Sequence, residues 1–198
     1  MQVMERRRDT DSSPPAPGKL ELVRAFLSLH DHLGTDPLSL PPSPASLREF
    51  FVEQGLIGPQ EPVAEQELGS VFRVHQALHR KVEARTGPAP TVAELSVIDR
   101  AAREARLELH FGSQGPPRIE ATAPGLAGAL GRILAAAFLA ELDGSWGRLK
   151  ECGDETCTGV FYDRSKNHSG KWCSMQSCGN RNKVRAWRAR QRTGGPAA

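Results

Sequence analysis

All four cysteines of the 198-residue chain fall between positions 152 and 178. Four residues separate Cys152 from Cys157, four separate Cys173 from Cys178, and fifteen lie between the pairs. Two short loops that each deliver two thiolates, joined by a span long enough for a hairpin, can enclose a tetrahedral ion at Zn–S distances of about 2.3 Å. Four thiolates leave no open coordination position, so the expected cofactor is one structural Zn2+ held by Cys152, Cys157, Cys173 and Cys178. Such an ion contributes roughly 10–16 kcal/mol of apparent folding free energy in small finger peptides, the scale of staple that a module with little apolar content needs. The competing readings are two disulfides, four unrelated thiols, or iron in a rubredoxin-like site. A disulfide framework would spread its cysteines along the chain, whereas the first 151 residues hold none. His168 lies between the pairs and is read as a solvated loop residue while four cysteines are present.

Charge is the second feature. The whole chain carries only +3, but between Arg148 and Arg192 eleven basic residues face four acidic ones, so this segment carries +7 and the remainder −4. From Arg181 to Arg192 six of twelve residues are basic and none is acidic, with Val184, Ala186, Trp187 and Ala189 interleaved. As a helix entered at the last cysteine, this stretch places Arg181, Arg185, Arg188 and Arg192 on one stripe and Lys183 with Trp187 on its neighbour. A cationic stripe beside a zinc-stapled hairpin is the electrostatic footprint of a nucleic-acid binder. The alternative is a solvated basic tail that offsets the negative charge of the four-thiolate site. The residues expected at the polymer are Arg181, Lys183, Arg185, Trp187, Arg188, Arg190 and Arg192, with Lys171 and Arg164 beside them.

The run Arg148-Leu-Lys-Glu-Cys152, Cys157-Thr-Gly-Val-Phe-Tyr-Asp-Arg-Ser, Lys171-Trp-Cys173-Ser-Met and Cys178-Gly179-Asn180-Arg181-Asn-Lys183 resembles the CGNR zinc-finger family, whose name is that last tetrapeptide. In that family the finger usually follows a mostly helical ABATE domain, and the pair is described as a stress-induced transcription regulator or an RNA-binding zinc-ribbon-like protein. Residues 20–142 resemble the ABATE domain through Leu22-Val-Arg-Ala-Phe-Leu and through Ser46-Leu47 to Gly55-Leu56-Ile57. One departure is Ser28-Leu29, where the family commonly has Asn-Thr. The resemblance implies zinc at the four cysteines and leaves DNA and RNA both open. Within the signature, Gly179 permits close backbone approach and Asn180 can cap the following helix or bond the thiolate loop. For Asn180 and Arg181, tying the zinc loop to the helix competes with partner contact. Trp172 and Phe161 flank ligands and are expected in the small core of the module, while Trp187 and Tyr162 are open between core and base stacking.

The elements that must position these groups follow from periodicity. Residues 1–18 combine Pro14, Pro15 and Pro17 with Ser, Asp and Gly and are expected to be a disordered leader. Helical spacing begins at Lys19, carrying Leu20, Val23, Phe26, Leu27, Leu29 and Leu33, and Gly34 is expected to close it. Ser43-Pro44 caps a second helix carrying Leu47, Phe50 and Phe51. Ala64, Leu68, Val71, His75, Leu78 and Val82 predict the longest helix, within about 61–86, and Thr91 with Glu94 caps a fourth running to about Ala105. Leu107, Leu109 and Phe111 alternate with polar residues, and Ile119 with Ala121 resumes the alternation after a turn, which predicts a β-hairpin. A fifth helix follows over 125–142.

The expected fold class is α+β, mainly α: a helical N-terminal domain with a small hairpin over 19–143, then a treble-clef or ribbon-like zinc finger over 148–192 ending in a basic helix, then a disordered tail over 193–198. The longest uninterrupted apolar run, Ile133–Ala140, falls short of the roughly 20 residues that a membrane span requires. The amino terminus has charges without a following apolar stretch, so export is not expected, and clustered thiols point to the reducing cytoplasm. His75 and His79 have metalloprotease spacing, but Gln76 stands where the general-base glutamate belongs, and His75 falls on the apolar stripe. Gly125, Gly128 and Gly131 lack the strand and Lys-Ser/Thr of a phosphate loop, and His30 with His32 has no partner set. No residue pattern makes a case for an enzyme. The expected function is a zinc-dependent nucleic-acid-binding protein, a transcriptional regulator acting on DNA in preference to RNA. Its N-terminal domain would sense a signal, dimerise or meet a protein partner. The alternatives are an RNA- or ribosome-binding ribbon and a protein-interaction zinc module.

Overall fold

The computed structural model describes residues 13–29, 43–85, 87–112, 115–157 and 159–193. Among these, five helices build the N-terminal part: α1 (Leu20–Leu27), α2 (Pro44–Glu53), α3 (Glu65–Glu83), α4 (Val92–Glu104) and α5 (Gly125–Leu142). Between α4 and α5 lies the antiparallel hairpin β1 (Leu107–His110) and β2 (Arg118–Ala121), with Leu109 opposite Ile119. A second antiparallel pair, β3 (Leu149–Glu151) and β4 (Val160–Tyr162), opens the cysteine-bearing segment, which ends in α6 (Asn180–Thr193). The chain is thus mainly helical with two small sheets.

Local chemistry sets the helix ends. The Ser43 hydroxyl accepts the Ser46 N–H ahead of Pro44, and Thr91 with Glu94 forms a reciprocal capping box in front of α4. Glu67 reaches back to the Ala64 N–H at 2.7 Å. Helix α1 stops at Leu27, ahead of the closure expected at Gly34, because Ser28 turns out of the helix and its hydroxyl donates to the Val160 carbonyl of β4 at 3.2 Å. His30, His32 and Gly34 lie outside the described residues.

Residues 13–18, expected within a leader over 1–18, are among the described residues. Ala16 is buried, its N–H donates to the Glu21 carboxylate at 2.6 Å, and the Pro15 carbonyl accepts from Arg164. Residues 1–12 of the expected leader and 194–198 of the tail expected over 193–198 fall outside the described residues, and Thr193 ends α6.

Helix α5 is the centre of the core, packed by α1, α4 and β2, with Ala129, Ile133, Leu134 and Ala137 buried along it. By length and composition it could cross a membrane, but 61% of it is buried within the protein, as in a core helix. Its glycines let the hairpin approach. A Cβ on Gly131 would lie 2.5 Å from Ala105 Cβ and 2.7 Å from Ala121 Cβ. The same hydrophobic cluster runs without a break into the second sheet, where Trp146, Leu149 and Val160 join Phe26, Phe51 and Leu78. The joint is short: Gly144 ends α5 with φ +77, and one 3-10 turn (Ser145–Arg148) leads into β3.

His75 is fully buried on α3, edge-on to Phe26 at 5.4 Å, which places it in the core and away from any metalloprotease role. Replacing Gly131 by Leu should force the hairpin off α5 and cost about 3 kcal/mol, the upper part of the usual range for overpacking. A fall in thermal midpoint of roughly 6–12 °C, with zinc content unchanged, is the expected result for a chain of this size, and an unaltered midpoint would contradict the packing.

Candidate metal centre and the basic helix

Each cysteine is delivered by a tight backbone feature. Cys152 follows β3 and continues its ladder, with its N–H on the Gly159 carbonyl at 2.9 Å. Cys157 closes a turn whose N–H reaches the Asp154 carbonyl at 2.7 Å. Cys173 lies across from this loop, its N–H directed at Cys152 Sγ at 3.5 Å. Cys178 sits in a π-helical turn (Met175–Gly179), the wide geometry in which the Gly179 N–H reaches back to Ser174.

All four Sγ atoms lie within 4.8 Å of one another, with Cys157–Cys173 at 3.8 Å and Cys173–Cys178 at 3.6 Å. These separations exclude S–S bonds of about 2.05 Å. They fit the edge of about 3.8 Å that follows from four sulfurs around zinc at about 2.3 Å. The charge requirement agrees. Hydrogen bonds from Cys157 and Cys173 draw the Cys152 thiol down, whereas Cys157, facing that thiolate, is pushed up to about 12 and Cys173 is pushed up as well. A dication held by the thiolates supplies the positive charge that the set lacks. The cofactor is one structural Zn2+.

Glycines and one indole shape the surroundings. A Cβ on Gly153 would lie 3.2 Å from Trp172, and one on Gly179 would lie 2.9 Å from Met175 Sδ and 3.3 Å from Trp172. Trp172 is therefore packed between the two ligand loops, and Phe161 is buried beside Val160. Asn180 does not act as an N-cap, because the π turn precedes it. Its amide donates to the Gln176 carbonyl at 3.1 Å, and the Asn182 amide donates to the Cys178 carbonyl at 2.9 Å.

Asp154 is the residue that sequence reasoning missed. It is 1% exposed and receives the Thr156 N–H and hydroxyl at 3.1 and 2.9 Å. Arg181 Nε lies 3.0 Å from its carboxylate and Arg185 Nη2 3.6 Å. Burial acts against ionisation, but the Thr156 bonds and the two guanidinium groups outweigh it and hold the carboxyl below the usual range. Arg181 also donates to Cys178 Sγ at 3.4 Å, so one side chain spans a metal-ligand sulfur and a buried acid. An acid inside the ligand loop is the visible signal, since beside four thiolates it demands a cation.

A parallel anchor sits in the following loop. Asp163, 2% exposed, receives Lys150 Nζ at 2.6 Å and the N–H groups of Ser165 and Gly170 at 2.9 Å each. Burial opposes its charge, yet these donors hold it well below the carboxylate range. Its contribution is thus complete above about pH 4 and is lost as pH falls through the depressed value. His168, in the same loop at φ +50, gives its carbonyl to Lys150 and stands apart from the sulfur cluster.

Most of α6 is exposed. Lys183, Val184, Trp187, Arg188, Arg190 and Arg192 are all exposed, Trp187 by 55%. Lys171 and Arg164 are exposed too, and Arg164 donates to Pro15. The expected contact set is therefore divided: Arg181 and Arg185 are bound to the zinc loop, and Lys183, Trp187, Arg188 and Arg192 are exposed on the helix.

A two-stranded sheet, a tetrad of sulfurs and a following helix define a structural zinc finger, here joined to a helical domain. The family models agree with that division. Residues 148–191 match the CGNR zinc finger, and residues 20–145 match ABATE, described as "Putative stress-induced transcription regulator". The chain belongs to the ABATE family and carries the CGNR finger in the stated order. No curated protein matches it.

Two variants test the centre. Cys173→Ser should lower zinc to well under one per chain and unfold the finger, as read by metal analysis and hydrogen exchange, whereas full zinc stoichiometry would contradict the four-sulfur site. Asp163→Asn should keep zinc and cost about 1.5–3 kcal/mol at neutral pH, the value of a charge-assisted bond, as measured by denaturant titration.

Proposed function

We propose that this protein is a zinc-dependent, DNA-binding transcriptional regulator in which α6 is the reading element and the helical part, over 19–143, receives a signal or a partner. The observation that carries the reading is the exposure of α6 on every side beyond its first turns. A helix with no buried face gains nothing from tertiary packing, and a highly polar one of 14 residues is marginal by itself. A polyanion supplies the missing stabilisation. Among its described residues α6 has no acid to repel one, and its length of about 21 Å suits entry into a major groove about 12 Å wide.

DNA is preferred because the major groove of B-form DNA admits a helix, whereas that of A-form RNA is too deep and narrow to read. Asp154 supports this reading by orienting the helix: with Arg181 and Arg185 anchored, Lys183, Trp187, Arg188 and Arg192 project from a fixed base. No enzymatic role is assigned to any residue, and the intended compartment is the cytoplasm.

Fluorescence anisotropy with duplex DNA and with structured RNA tests the proposal. Neutralising about four to six phosphates should make log affinity fall with log salt at a slope of roughly −4 to −5. Changing Lys183, Arg188 and Arg192 together to Ala should weaken binding at low salt and flatten the slope by about one for each lost phosphate contact, while zinc content stays at one. Unchanged binding by the triple variant would overturn the assignment of α6, and tighter binding to RNA would overturn the choice of polymer.

A further inference from the structure

Outside the sulfur tetrad, a second set of ligating side chains converges among the described residues. His79 and Glu83 are four residues apart on α3 and share a face, and Glu151 ends β3 one residue before Cys152. One ligand atom from each, a ring nitrogen and two carboxylate oxygens, lies within 4.8 Å of the others. Only His79 among them is deeply buried, at 2% exposure.

The surroundings of His79 are those of an oriented ligand. Its Nε2 lies 3.0 Å from the Leu27 carbonyl, which can only accept, so Nε2 carries a proton and the ring cannot rotate freely. Nδ1 is thereby aimed at Glu151 Oε1, 2.9 Å away. A backbone carbonyl on the distal ring nitrogen is the arrangement that fixes the tautomer and raises the basicity of metal-binding histidines. Glu83 is held by Arg80, which orients its carboxylate. The Glu83 and Glu151 side chains are 28% and 38% exposed, which leaves an entry path from solvent.

We propose that His79, Glu83 and Glu151 form a second divalent-metal site, distinct from the sulfur tetrad, that binds an exchangeable transition-metal ion between α3 and the strand leading into the finger. One imidazole and two carboxylates suit Zn2+, Mn2+, Fe2+ or Co2+ better than the all-oxygen shells of Mg2+ and Ca2+. Two carboxylates balance the dication. Any proton on Nδ1, now shared with Glu151, leaves to solvent when the ion binds. Three protein donors leave coordination positions for water, so this ion exchanges where the four-sulfur ion is enclosed.

The test adds Co2+ to the full-length protein already loaded with one zinc, followed by calorimetry, metal analysis after equilibrium dialysis, and visible absorption. The expected result is a second metal equivalent with weak d–d bands and no thiolate charge-transfer band. Glu83→Gln, a partly exposed change, should weaken that equivalent by more than about tenfold, the loss that even an outer-sphere partner causes, and keep the finger zinc at one per chain. His79→Gln should do the same, with circular dichroism and finger zinc confirming that it folds. The proposal is overturned by any of three results: no second equivalent at millimolar free Co2+, full second-site binding by both variants, or a charge-transfer band showing that cobalt entered only the cysteine cluster.

Discussion

Four sulfurs packed within 4.8 Å impose a charge problem that organises the C-terminal third of the molecule. Around a dication, four thiolates become a closed tetrahedron with a net charge of about −2. That residual charge explains what surrounds it. Arg181 donates to Cys178 Sγ, the positive end of α6 begins just beyond, and Asp154, a further anion, is held by the Thr156 N–H and hydroxyl and by Arg181 and Arg185. The first cations of the basic helix, Arg181 and Arg185, thus belong to the metal centre, whereas Arg188 and Arg192 are exposed.

The finger is also not an independent bead on a string. Leu149 and Val160, from its two strands, are buried in the same cluster as Phe26 and Ile133, and Lys81 lies over Trp146 at the joint. Ser28 donates to β4, and His79 bridges the Leu27 carbonyl and Glu151. The Ser28 hydroxyl makes a polar link between the end of α1 and the finger strands. The helical part therefore touches the residue next to Cys152 directly, through packed side chains and hydrogen bonds.

Periodicity and caps made most of the architecture legible. Ser43-Pro44, the Thr91–Glu94 box and the alternation around Leu107 and Ile119 are local features whose physics lies within a few residues, and each element appears where they place it. The sulfur tetrad was legible for a similar reason, because two paired spacings already restrict how a loop can turn. Helix α1 was misjudged at its end because the apolar spacing continues past Ser28, and only the distant Val160 carbonyl draws that residue away. Composition weighs the Pro and Ser of residues 13–18 as a group and does not reveal that one small side chain there, Ala16, is buried in the core.

By itself, the sequence determined the helix faces, the hairpins, the zinc-binding residue set and a strongly cationic last helix, since spacing and charge are properties of neighbouring residues. Tertiary structure decided which cations remain open, because Arg181 and Lys183 look alike until Asp154 arrives from 27 positions upstream of Arg181. It also decided that His79, Glu83 and Glu151 meet, 72 positions apart at their widest, through the packing of β3 against α3. Pairings of this kind depend on the closure of one shared core, and no local pattern encodes the distance between groups that only that core brings together.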